Sequence, residues 1–109
     1  MRDGIYKVAL EADGHKGMMV GAMRNGRLTG CDQSHFVTGT FKRNGHRING
    51  SFRMTRHTRH PNIREIANLD EFNVNFSGIC GESFGQFEAK VPERPGLVVY
   101  ATFRWVCDA

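Results

Sequence analysis

Along most of this chain apolar and polar residues take alternate positions, the period-two pattern of a sheet that packs on one face. The alternation is cleanest in 71–79, where Phe72, Val74 and Phe76 alternate with Asn73, Asn75 and Ser77. In 84–91, Phe87, Ala89 and Val91 stand against Gln86, Glu88 and Lys90, and in 46–54, Ile48, Phe52 and Met54 stand against Arg47, Asn49, Ser51 and Arg53. Near the C-terminus Leu97, Val99, Ala101, Phe103 and Trp105 share one face, while Val98, Tyr100, Thr102 and Arg104 make a mixed one. Two Asn-Gly pairs, Asn25-Gly26 and Asn44-Gly45, offer the two left-handed backbone positions of a type I′ turn. They predict hairpins joining 18–24 to 27–31 and 36–43 to 46–54, and Asp13-Gly14 predicts the turn after a first strand at 5–10.

The pattern predicts eight strands, at 3–11, 16–24, 27–31, 36–43, 46–55, 71–79, 84–91 and 97–106. Curling such strands into an antiparallel β-barrel hides both sheet edges around one interior; an open two-sheet sandwich is the alternative architecture. Met19, Met23, Phe41, Phe52, Phe72, Phe76, Phe87, Phe103 and Trp105 are the expected inward residues. Gly17, Gly21, Gly39, Gly50 and Gly78 fall in or beside strands, where glycine marks a bend, a bulge or a close backbone approach. On the inward faces Gly21, Gly39 and Gly50 are expected to leave volume, so the interior is either filled by rings or keeps a small apolar pocket. The stretch 56–70 reads as a long connection with one helical turn at 62–68, whose Ile63, Ile66 and Ala67 partly cover an opening.

Length and composition fit one domain: 109 residues, 39% of them apolar, with eight Phe. No run reaches the roughly 18 apolar residues of a membrane helix, and no signal-peptide pattern leads the chain, so a cytoplasmic location is expected. Cys31, Cys80 and Cys107 are odd in number and far apart, without metal spacing, and suit a reducing compartment. The net charge of +4 conceals an asymmetry. Residues 1–64 hold twelve Lys/Arg and four Asp/Glu, a net of +8, while 65–109 hold three and seven, a net of −4. Such a field steers a polyanion or an acidic protein surface to one part of a molecule, unless folding mixes the halves.

The densest basic cluster, Arg53, Arg56, His57, Arg59, His60 and Arg64, is the first candidate site, because guanidinium forks suit carboxylate or phosphate. Nucleic-acid binding also calls for exposed aromatic rings, and nearly all the Phe lie on core faces. An acidic protein partner is therefore the better functional reading, against the plain alternative of a solvated charged edge. His57-x-x-His60, with His35 and Asp32, makes a weak metal set beside so many arginines, and none is assigned. Cys31, Asp32 and His35 invite a nucleophile–base comparison, but Asp32-Gln33-Ser34 reads more simply as an Asx-type turn. Asp70 and Glu71, adjacent on a strand, point to opposite faces and cannot flank a substrate. No phosphate-cradling glycine motif is present. Neither an enzymatic role nor a cofactor is expected. Two outward apolar stripes, Met18, Val20 and Ala22 on the second strand and Val98, Tyr100 and Val106 on the last, are candidate subunit interfaces.

Asp3-Gly4-Ile5-Tyr6, the segment Leu28-Thr29-Gly30-Cys31-Asp32 and Phe36-Val37-x-Gly39 together resemble the start of the GrlR-like family, bacterial negative regulators of type III secretion genes. Cys31 stands where that family's pattern has a second Gly before the Asp. The match covers about the first 55 residues; beyond them it rests on strand order. The resemblance implies an eight-stranded lipocalin-like barrel, a homodimer, and repression by binding an activator protein. In the family an acidic loop after the fourth strand captures the basic activator. The matching place here is Lys42-Arg43-Asn44-Gly45-His46, of opposite charge, which makes Lys42, Arg43 and His46 candidates for an acidic partner. The expected function is thus a non-enzymatic, protein-binding regulator, with a small apolar ligand in the barrel as the alternative and nucleic acid less favoured.

Overall fold

The computed structural model describes residues 1–62 and 65–109. Its strands are β1 (Gly4–Ala12), β2 (His15–Arg24), β3 (Arg27–Cys31), β4 (His35–Asn44), β5 (Arg47–Arg56), β6 (Glu71–Cys80), β7 (Phe84–Lys90) and β8 (Val98–Cys107). Each is bonded antiparallel to its neighbour in sequence, and β1 also pairs with β8, so the sheet closes into a lipocalin-like eight-stranded barrel with no free edge. No boundary departs by more than one residue from the alternation pattern, because burial of one face leaves each strand a single acceptable parity. Among the described residues there is no helix. The turn expected at 62–68 falls partly on residues 63 and 64, outside the described residues, and the described part of the stretch runs through turns and bends.

The first Asn-Gly pair forms its hairpin as expected, with Asn25 and Gly26 both at positive φ, 50° and 76°. The second does not. Asn44 pairs with Arg47, so the two loop residues are Gly45 and His46, with only Gly45 at positive φ (63°), the pattern of a type II′ turn. The packing explains the shift. With Asn44-Gly45 at the centre, Gly39 would face Gly50. In the observed register Gly39 faces Phe52, and Gly50 faces Phe41 on one side and Phe76 on the other. Each glycine accepts a neighbouring strand's ring, and no gap is left between two hydrogens.

The same large-beside-small alternation runs round the interior. Along one row Ile48, Gly78, Phe87, Ala101, Leu10 and Gly17 follow one another on β5, β6, β7, β8, β1 and β2. This is how a small barrel fits bulky side chains into a narrow bore. The expectation that the inward glycines leave volume is corrected here. A Cβ on Gly39 would lie 2.5 Å from Phe52 Cβ, and one on Gly50 would lie 2.8 Å from Phe76 Cε1. A line of rings descends the bore, with centroids 4.9 Å apart for Phe52 and Phe76, 4.8 Å for Phe76 and Phe87, 5.8 Å for Phe87 and Phe103, and 6.0 Å for Phe103 and Tyr6.

The barrel has two unlike ends. At one lie the start of β1, the end of β8 and the β2–β3, β4–β5 and β6–β7 turns. Tyr6 plugs it, wholly buried, with its hydroxyl donating to Arg2 O, and burial pushes the phenol up to about 12. Above it Arg43 Nη1 reaches Glu82 Oε1 at 2.8 Å, and the Arg2 guanidinium stacks 3.6 Å from the centre of the Trp105 ring. At the other end lie the β1–β2, β3–β4 and β7–β8 turns, crossed by the long connection 57–70.

Candidate functional site

The long connection acts as a strap, and the β3–β4 turn is its anchor. Asp32 Oδ1 accepts the backbone N–H groups of Ser34 at 2.8 Å and His35 at 2.7 Å, closing the Asx turn that the sequence suggested. This buries Ser34 and His35. Leu69 O can only accept, so His35 Nε2 donates to it at 2.7 Å, while Nδ1 lies 2.8 Å from Ser34 Oγ, whose hydroxyl also stands 3.2 Å from Asp32 Oδ1. The imidazole also meets the Phe72 ring edge-on. Backbone bonds tie the strap on both sides: His57 N donates to Ser34 O at 2.8 Å, and Arg56 N to Asp70 O at 2.7 Å. His35 thus pins the strap, and it faces neither Cys31 nor a metal set. His57 and His60 turn their Nε2 to the carbonyls of Asp32, at 3.0 Å, and Gln33, at 2.9 Å.

The arginine cluster is matched by the acids that follow it. Arg56 binds Glu65 and, at 2.7 Å, Asp70; Arg59 reaches the same Asp70 oxygen at 2.8 Å; Arg53 meets Glu71 at 3.1 Å. The hydrogen bond from Arg56, with the charge of Arg59, holds the Asp70 carboxyl below the usual range. The side chains of Arg56 and Glu65 are only 9% exposed. Glu65 Oε2 is taken by Arg56, but its Oε1 is buried without a hydrogen-bond partner among the described residues. Folding therefore brings the +8 and −4 portions of the chain together, and these arginines hold the strap down. Arg64 lies outside the described residues.

A second cationic group sits at the opposite end of the barrel. Lys42 and His46 are exposed, and Arg43 is engaged with Glu82, whose carboxyl that bond depresses. Arg24 and Arg27 face each other across the β2–β3 turn, and Arg47 pairs with Asn44 beside the β4–β5 turn. Among the described residues, Arg24, Arg27, Lys42 and Arg47 have no carboxylate within 4.0 Å. Sequence reasoning passed over Arg24, Arg27 and Arg47 because they are scattered in the chain. Their common place beside hairpin turns was the available signal.

The two apolar stripes prove to be one surface. β1 alone separates β2 from β8. Met18, Val20, Tyr100 and Val106 are each more than half exposed, as are Ile79 on β6 and Phe84 on β7, which the stripe pattern missed. Ala22 and Val98 are half-buried. One row across this outer wall reads Ile79, Gln86, Thr102, Ala9, Met18, and the next reads Phe84, Arg104, Lys7, Val20. Met18 and Ile79 rim a shallow depression floored by Ala9, Thr102 and Gln86. Parity already placed Ile79 and Phe84 outward. The outer wall of β3 to β5 and the first half of β6 is mostly polar: Thr29, Thr38, Thr40, Ser51, Asn73 and Asn75 lie on it, Arg53 and Glu71 pair on it, and Phe36, 42% exposed, is its large apolar residue.

Inside the barrel a cavity of about 150 Å³ remains under the strap. Met19, Met23, Met54 and Phe72 lie on its apolar wall, while Ser34, His35 and Glu65 stand at its polar end. Models of known protein families and curated protein sequences contain no match to this chain.

Proposed function

We propose that this protein is a non-enzymatic regulator that works by binding protein, and that the outer wall of β7, β8, β1 and β2 is the surface it binds with, first of all to a second copy of itself. The observation that carries this is the segregation of the two outer walls. Six of the seven large apolar side chains exposed among the described residues collect on one side, Ile79 at its β6 edge, while the other side carries mainly hydroxyls and amides with the single ring of Phe36. Contiguous apolar surface rimmed by charge is the usual mark of a protein contact. Lys7, Lys16, Arg104, Glu11 and Glu88 stand among the apolar residues. Both signs on one wall suit a self-complementary two-fold contact, in which each copy offers acid to the other's base.

The GrlR-like resemblance of the first 55 residues supports the same reading. A partner after dimerisation would meet the free cations Arg24, Arg27, Lys42 and Arg47, which favour an acidic protein surface. Phosphate binding at Arg53, Arg56 or Arg59 would have to displace the carboxylates already there. Sedimentation equilibrium tests the proposal. The parent chain is expected as a dimer, and Val20→Asp and Tyr100→Asp are expected as folded monomers. A monomeric parent, or variants of unchanged mass, would refute it.

A further inference from the structure

We propose that the barrel interior is a binding site for a small apolar molecule, about the size of a single ring, that carries one hydrogen-bond donor directed to Glu65. This goes beyond the protein-binding reading and does not depend on it.

Three observations meet at one place. The first is volume. A void of about 150 Å³ is retained in a bore whose glycines and rings otherwise interlock. A cavity of that size, apolar and closely walled, is large enough for benzene. The second is access. Lys16 and Gln33, both exposed, stand on its rim beside the strap, so the void leads to solvent at that end and is sealed by Tyr6 and Arg43 at the other. The third is polarity. Among the described residues, Glu65 Oε1 is the one buried side-chain acceptor without a partner. His35 is satisfied by Ser34 and Leu69, and Asp32 Oδ1 by its own turn. Glu65 lines the cavity with nine-tenths of its side chain buried, and its Oε1 has no partner among the described residues.

An unpaired buried carboxylate oxygen carries an uncompensated desolvation cost. A ligand hydroxyl or amine would relieve it, while the ligand's ring takes the apolar wall. Met19, Met23 and Met54 suit such a wall, since thioethers adapt to shape and favour ring edges.

Two isomers of equal size separate this from non-specific apolar binding: benzyl alcohol, which donates, and methoxybenzene, which only accepts. Titration calorimetry on the parent protein is expected to give benzyl alcohol about a tenfold advantage, the scale of one hydrogen bond to a charged acceptor. The methyl NMR signals of Met19, Met23 and Met54 are expected to move, and that of Met1, which lies outside the cavity lining, to stay. In Glu65→Gln the amide must give its only oxygen to Arg56, which puts an N–H₂ donor where Oε1 was. The advantage is then expected to vanish or reverse. Should that variant fail to fold, the parent's ratio and the methyl shifts decide alone. Equal affinity of the isomers for the parent, binding that leaves the Met19, Met23 and Met54 methyls unmoved, no binding at millimolar concentration, or an unchanged ratio in folded Glu65→Gln would each overturn the proposal. Failure here leaves the oligomer measurements untouched, so the two readings fail separately.

Discussion

Gly50→Ala adds a single methyl group, and the barrel has no room for it. A Cβ at position 50 would stand 2.3 Å from Thr40 O, 2.8 Å from Phe41 Cα and 2.8 Å from Phe76 Cε1. Two of those atoms belong to the backbone of β4, so rotating a side chain cannot relieve the clash. β4 and β5 would have to part, stretching the ladder between Phe41 and Gly50 and lifting Phe76 from its neighbours Phe52 and Phe87. Forcing a methylene into a packed core costs about 1–3 kcal/mol. Alanine returns about 0.4–1 kcal/mol by restricting the unfolded chain. The net is a loss of roughly 1–2 kcal/mol, which in a domain of this size lowers the melting midpoint by about 5–15 °C. Urea unfolding followed by the fluorescence of Trp105, the one tryptophan, measures it. Gly17→Ala is the control: a Cβ there meets nothing nearer than Ile66 Cδ1 at 3.6 Å, an ordinary contact, and its φ is not positive. A Gly50→Ala protein that unfolds at or above the parent's midpoint would refute the ring-over-glycine account of the register.

Acid should loosen the fold in a defined window. Asp70, Glu82 and Glu93 are held below the usual carboxylate range by Arg56, by Arg43 and by the Asn73 backbone N–H. Their stabilisation is complete above the unfolded-chain value of about 4 and is lost as pH falls through the lower folded values. The urea midpoint is therefore expected to hold from pH 7 to about pH 5 and to drop below about pH 4, less steeply in Asp70→Asn; a flat profile to pH 3 counts against it. Ser34→Ala removes the hydroxyl that links buried His35 Nδ1 to Asp32 Oδ1 and is expected to cost about 1–2 kcal/mol in the same assay. A variant as stable as the parent would show that the ring has no need of that hydroxyl.

The strands were legible because burial of one face forces alternation, and the same parity exposed Ile79 and Phe84 to anyone who followed it outward. The register of β4 against β5 was not, because Asn44-Gly45 is a good type I′ pair on local grounds, while the deciding contacts, Phe52 over Gly39 and Phe76 against Gly50, lie across strands. Local turn chemistry lost to tertiary packing. The arginine cluster was misleading for a related reason. Arg53, Arg56 and Arg59 are dense in sequence, yet their carboxylates arrive 9 to 18 residues later, on the far arm of the strap and the first residue of β6. The cations Arg24, Arg27, Lys42 and Arg47 came together only when the β2–β3 and β4–β5 turns met at one end. The cavity and the unpaired Glu65 oxygen depend on how a long loop settles, which no periodicity encodes.

The ladder between β1 and β8 joins the beginning of the ribbon to its end, with Ile5 beside Cys107. Every other pairing is between consecutive strands. The molecule is topologically a ring that happens to be cut at one seam. Joining the present ends through a short linker and opening the backbone at Gly45-His46 instead would preserve all eight ladders. It would also move the seam from the apolar wall, where β1 and β8 meet, to the polar one, where β4 meets β5. A circularly permuted chain made this way separates the order in which the strands are synthesised from the surface they finally present.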